Sequence, residues 1–249
     1  MIRGLYTAAS GMLVENRKLE NISQNISNIG TAGFKQTYLS TISQEESTLK
    51  TGNLKESIGT ITMKVGIDES LIHLTQGELQ TSNQPYDFAI EGDGFFTLEG
   101  PGGERLYTRD GRFGVDDQGR LVSKEGFPVL VSTDKGIGYA SVNDQEFVTS
   151  ETGSFTVNGE TYQFLISDLQ NQNQIVRYEN NLFGYNGGNA PINYENVSVY
   201  QGMIEGSNVD ATDEMVNLIS TSRSFQMNSK VLQVMDQVLE QSVNELGKV

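Results

Sequence analysis

The chain has no cysteine. Disulfides, thiolate metal sites and cysteine nucleophiles are therefore excluded. Tryptophan is also absent, proline occurs only four times, and His73 is the single histidine, so a multi-histidine metal site cannot form. No apolar run approaches the roughly 20 residues that span a bilayer, so no membrane insertion is expected. Positive charge is scarce: 17 Lys and Arg stand against 32 Asp and Glu, for a net charge of −15. Phosphate backbones and anionic lipid surfaces repel such a chain, which argues against nucleic acid as a partner. No Gly-x-Ser-x-Gly elbow or phosphate loop appears, and nothing in the sequence calls for a cofactor.

What is present divides into two similar ends and a different middle. The 249 residues suffice for one large or two modest domains. Near the start, Leu5, Met12, Leu19 and Ile26 recur every seven residues, with Ala8, Ile22 and Ile29 on the companion row. Near the end, Leu218, Phe225, Leu232, Leu239 and Leu246 do the same, with Met215 and Val243 beside them. Met227, Val231, Val234 and Val238 widen this second stripe, so that it can touch more than one neighbouring helix. Ser207 to Asp210 supplies a cap for the second helix. The first apolar stretch, broken by Thr7, Ser10 and Gly11, reads as amphipathic helix rather than a cleaved leader.

Residues 36–80, rich in Ser, Thr, Gln, Glu and Lys, read as an extended connector with short strands. From 81 to 204, short apolar runs alternate with glycine turns such as Asp93-Gly94, Asp110-Gly111 and Asn158-Gly159. That is β patterning. The expected architecture is α+β. Discontinuous terminal heptad helices (1–35 and 205–249) that form a coiled coil flank an inserted, mainly β domain, a sandwich or partly open barrel. The ends carry opposite charge. Residues 1–35 hold four basic and two acidic side chains (+2), and residues 205–249 hold three basic and seven acidic ones (−4). Such ends suit one another, within a chain or between chains. The two seams are expected to be satisfied by other copies, with both ends mobile in a free subunit and ordered on assembly.

Three segments carry a resemblance. Asn25-Ile26-Ser27-Asn28-Ile29-Gly30-Thr31-Ala32-Gly33-Phe34-Lys35 is similar to the N-terminal signature of flagellar rod, hook and hook-associated axial proteins, in which Gly30 is a small departure. The stretch from Gln84 to Phe96, continuing to Tyr107-Thr108-Arg109-Asp110-Gly111, resembles their middle block. Gln201 to Asp210, followed by Glu214 to Ile219 and Arg223 to Lys230, resembles their C-terminal block. The resemblance implies a non-enzymatic, self-assembling rod subunit of the flagellar basal body. Its partners would be other copies, other rod and hook subunits, and the type III apparatus that exports it unfolded. Its helical ends would line an inner tube. The length argues against a hook subunit, and the short stretch after Lys35 leaves the proximal rod open beside the distal one.

The expected assembly interface is Leu5, Met12, Leu19, Ile22, Ile26, Met215, Leu218, Phe225, Leu232 and Leu239. The signature residues are Asn25, Asn28, Thr31, Gly33, Phe34 and Lys35. The rival reading is an extracellular carbohydrate-binding β module or hydrolase using Asp93, Asp110 or Asp117. It leaves the heptad ends unexplained, and each Asp stands beside a turn glycine, where Asp is favoured for backbone reasons.

Overall fold

The computed structural model describes residues 2–50, 57–143, 147–169, 174–178, 181–192 and 197–246. The chain forms two compact units. A terminal unit gathers residues 1–27, 37–73 and 210–249, and a central unit gathers residues 28–36 and 74–209. The architecture is α+β, with two helices and many antiparallel strands in several sheets; no closed barrel forms among the described residues.

In the terminal unit, α1 (Ile2–Ser27) packs on α2 (Ala211–Leu246) and on a long antiparallel hairpin of β1 (Thr37–Lys50) and β2 (Ser57–Ile72). The segment expected as a connector with short strands thus holds strands of 14 and 16 residues. Its Thr, Ile and Val favour extended backbone, but its low apolar content hid the length. An isolated two-stranded ribbon is marginal in water. Here α1 supports it. Asn21 Nδ2 donates to Thr37 Oγ1 (2.8 Å), and the Val65 N–H donates to Ser10 Oγ (3.4 Å).

The helices run antiparallel in one chain, in a fixed register. Gly4 lies against Met235, Gly11 against Asn228, and Asn25 Nδ2 donates to Glu214 Oε1 (3.1 Å). Successive facing positions are seven or fourteen residues apart on each helix. At 26 and 36 residues, both helices are longer than the roughly 15 residues below which isolated helices are marginal. The expectation that these seams find partners only in other copies is therefore revised: each helix has a partner in its own chain.

Asp210 caps α2. Its Oδ1 accepts the N–H groups of Thr212 (2.7 Å) and Asp213 (3.2 Å), and the helix begins there rather than at Ser207. The backbone N–H of Asp213, then that of Thr212, holds its carboxyl below the usual carboxylate range. A depressed carboxylate stabilises above its unfolded pKa, and the benefit is lost as pH falls through the lowered value. Asp210→Ala is expected to melt α2 earlier than the parent above about pH 4, with the gap closing in acid and Asn retaining most of the effect. Helical CD melts at pH 7 and pH 2 check this.

The central unit comprises β3 (Leu79–Thr81), β4 (Phe88–Glu91), β5 (Phe95–Glu99), β6 (Arg105–Thr108), β7 (Gly114–Val115), β8 (Leu121–Val122), β9 (Leu130–Thr133), β10 (Gly136–Tyr139), β11 (Ser154–Val157), β12 (Glu160–Phe164), β13 (Ile166–Ser167), β14 (Ile175–Arg177), β15 (Phe183–Tyr185), β16 (Ser198–Gln201) and β17 (Met203–Glu205). Two sheets dominate, in the orders β10-β9-β12-β11 and β13-β5-β6-β15-β14. β16 pairs with β4 and β17 with β3, which brings the C-terminal block back beside the middle block. The Asn158-Gly159 turn, with both residues at positive φ, joins β11 to β12 as the sequence reading expected. Phe88, Phe96, Phe113, Phe155 and Phe164 fill the core. The ring centroids of Phe88 and Phe164 are 4.8 Å apart, and Phe96 meets Phe113 edge-on at 5.1 Å. Each such ring contributes about 1.5–3 kcal/mol by burial.

Candidate functional site

Two features stand out, one in each unit. In the central unit, three charged side chains are buried together. Lys35 precedes the hairpin, Arg109 follows β6, and Glu205 ends β17. Glu205 Oε1 receives Lys35 Nζ at 2.6 Å, and Oε2 receives Arg109 Nη1 at 2.9 Å. The Lys35 and Glu205 side chains are wholly inaccessible to solvent, and Arg109 is 2% exposed.

Backbone groups complete the cluster. Lys35 Nζ also donates to the Thr75 carbonyl (2.7 Å), and the Gly77 N–H donates to Glu205 Oε1 (2.9 Å). Arg109 donates to the carbonyls of Ile90 (3.2 Å) and Gly92 (2.5 Å), and its guanidinium lies over Phe95. Its Nε has no acceptor among the described residues. Burial pushes the Lys35 ammonium and the Arg109 guanidinium down from their ordinary values, and the Glu205 carboxylate opposes this for both.

The signature loop is shaped to reach this cluster. Gly33 adopts φ +65°, and its N–H donates to the Glu205 carbonyl (2.7 Å). A Cβ on Gly33 would lie 2.4 Å from the Arg109 carbonyl carbon and from the Asp110 nitrogen. Thr31 Oγ1 donates to Asn28 Oδ1 (3.1 Å), closing the turn. Phe34 is buried beneath the Arg177 guanidinium, 4.5 Å away. Asn208 accepts the Gln36 N–H (2.7 Å) and donates to the Thr75 carbonyl (3.0 Å). Asn25 belongs to the terminal unit, where it donates to the Thr37 carbonyl (2.8 Å) and accepts the Thr37 N–H (3.1 Å), tying α1 to the start of β1.

The second feature is the surface of the helix pair. Of the expected interface residues, Ile22 is buried. Leu5, Met12, Leu19, Ile26, Leu218, Phe225, Leu232 and Leu239 are half-buried, and Met215 is exposed. The companion row on the covered side of α2 is Glu214, Thr221, Asn228, Met235 and Ser242, one position before the expected row. About a third of a turn away, Met227 (63% exposed), Val231, Val234 (47%) and Val238 form an apolar stripe that the chain itself leaves open. Spacing of four, three and four residues puts them on one side.

The acidic turns do structural work. Asp110 is held by Arg112 at 2.6 Å, and Asp116 accepts the Gln118 and Arg120 N–H groups that close its turn. Asp93 and Asp117 are exposed. Among the described residues, no group of three or more His, Asp or Glu is placed to hold a metal ion.

Arg109, Glu205 and Lys35 come from the three segments that carried the resemblance, and family profiles match the segments that hold the first two. The family profile described as flagellar hook protein FlgE/F/G D1 domain matches residues 89–167, which include Arg109. The profile described as flagellar basal body rod FlgEFG protein C-terminal matches residues 200–246, which include Glu205 and most of α2. Over 96% of its length the chain is 32% identical to the flagellar basal-body rod protein FlgG of Borreliella burgdorferi, covering 97% of that protein. This chain belongs to the flagellar basal-body rod protein family. It is also 30% identical, over the whole of both chains, to the rod protein FlgF of Caulobacter vibrioides and to the flagellar hook-basal body complex protein FlhO of Bacillus subtilis.

Membership makes the chain a structural component of the flagellar basal body. No helix among its described residues is long and apolar enough to cross a membrane. Sequence reasoning identified the blocks but did not see that Lys35, Arg109 and Glu205 answer one another, because Lys35 and Arg109 stand 170 and 96 positions from Glu205. The sequence does place one of these three charges in each block, Lys35 and Arg109 positive and Glu205 negative.

Proposed function

We propose that this rod-family protein polymerises helically through α1 and α2, carrying torque along the rod and walling part of the export channel. The open stripe Met227, Val231, Val234 and Val238 supports the reading most directly. α2 already has a partner in its own chain, yet it carries this further apolar side that a solitary subunit would leave in water. The stripe makes room for a coiled-coil-like contact with another copy. Other rod and hook subunits are the axial neighbours, in keeping with the names of the relatives. The subunit reaches this place by export, unfolded, through the flagellar type III apparatus.

Val234→Asp tests the proposal without touching the covered side of α2. The dilute chain is expected to keep its helical CD signal and melting temperature. Polymer yield and motility are expected to vanish, because assembly would bury an unpaired carboxylate at a cost of several kcal/mol. Polymer yield equal to the parent overturns the proposal.

A further inference from the structure

The helix pair leaves a second apolar patch bare. On α1, Tyr6 (66% exposed) and Leu13 (71% exposed) stand seven residues apart, and therefore on one side. Farther along α1 the exposed residues Asn16, Arg17, Glu20, Ser23, Gln24 and Ser27 are polar. The register set by Gly4 against Met235 and Gly11 against Asn228 places Tyr6 and Leu13 level with the stretch of α2 that carries Met227 to Val238. Two bare patches thus lie at the same end of the pair, on different helices. Their lengths are comparable, about 10 Å for seven residues and about 16 Å for eleven.

We propose that the α2 stripe of one copy packs on Tyr6 and Leu13 of α1 in a second copy. This rests on the reading that the chain polymerises through its terminal helices, and it names the contact. Charge favours this pairing over α2 on α2. α1 carries Arg3, Arg17 and Lys18 against Glu15 and Glu20, for +1. α2 carries Arg223 and Lys230 against Asp213, Glu214, Asp236, Glu240 and Glu245, for −3. Symmetry points the same way. An α2–α2 contact is self-complementary and closes after two copies, whereas α2 on α1 leaves each copy with one free donor patch and one free acceptor patch, so the contact repeats without closing.

The absence of cysteine makes the test clean. Full-length Leu13→Cys and Val234→Cys chains are mixed, polymerised and treated with copper phenanthroline, with Val231→Cys and Val238→Cys run in parallel to allow for register. The expected product is a mixed disulfide dimer of a Leu13→Cys chain with one of the α2 variants, formed in polymer and absent from dilute monomer, since a disulfide requires Cα atoms within about 7 Å. A dominant Val234–Val234 product overturns the pairing. So does preferential linkage of Val234→Cys to Tyr38→Cys on the exposed side of the hairpin. Polymer without any Leu13 cross-link overturns the pairing alone and leaves polymerisation standing. A parent chain that does not polymerise overturns both.

Discussion

Replacing Glu205 by Ala is expected to destabilise the central unit by about 3–5 kcal/mol, because it strands two buried cations. Lys35 and Arg109 would keep their desolvation penalty and lose the carboxylate that answers it at 2.6 and 2.9 Å. The Gly77 N–H would also lose its acceptor. Glu205→Gln should fare little better, since it keeps the shape but not the charge. The informative comparison is the triple variant Lys35→Met, Arg109→Met, Glu205→Leu. Replacing a whole buried ion cluster by apolar side chains is commonly neutral or stabilising. The triple variant is therefore expected to unfold near the parental urea midpoint, and the single variant far below it. Equal losses in both would mean that backbone contacts, rather than stranded charge, dominate the site.

The second large effect is expected at Gly33. Two separate constraints meet there: φ of +65°, and no room for a Cβ beside the Arg109–Asp110 backbone. The left-handed conformation alone costs a non-glycine residue about 1–2 kcal/mol, and displacing main chain adds about 1–3 kcal/mol. Gly33→Ala and Gly33→Asn should both be severely destabilised, although Asn tolerates positive φ. Gly126 is the control. Its φ is +88°, but nothing lies within 4 Å of a Cβ built there. Gly126→Asn should be mild. Rescue of Gly33 by Asn would show that conformation matters there and crowding does not.

The contrast between these glycines indicates how far sequence reading reaches. The positions of Gly33, Phe34 and Lys35 were recognisable as a block, and so was the order of the β turns. The seven-residue row Leu218, Phe225, Leu232 and Leu239 was legible because its members are apolar. Its true companions, Glu214, Thr221, Asn228, Met235 and Ser242, were not, since most of them are polar or small. Gly4 and Gly11 on α1 make room for Met235 and Asn228, so the facing row of α2 need not be aliphatic. A reading that follows hydrophobicity alone therefore slips by one position, and takes exposed Met215 for the seam. The hairpin of residues 37–72 was obscured for the same reason: its strands are extended but not apolar. The ion cluster was hidden by distance along the chain.

One consequence follows from the way the terminal unit is stitched together from residues 1–27, 37–73 and 210–249. α1 and the hairpin precede α2 in the chain and must wait for it across a closure of well over 100 residues, whose entropic cost grows only slowly with length. A message cut short just before Ala211 still encodes the whole central unit, residues 28–36 and 74–209, but never a finished helix pair. Under the proposed pairing, a prematurely terminated chain lacks the α2 stripe and can offer only its α1 patch, so it cannot supply both halves of the repeating contact.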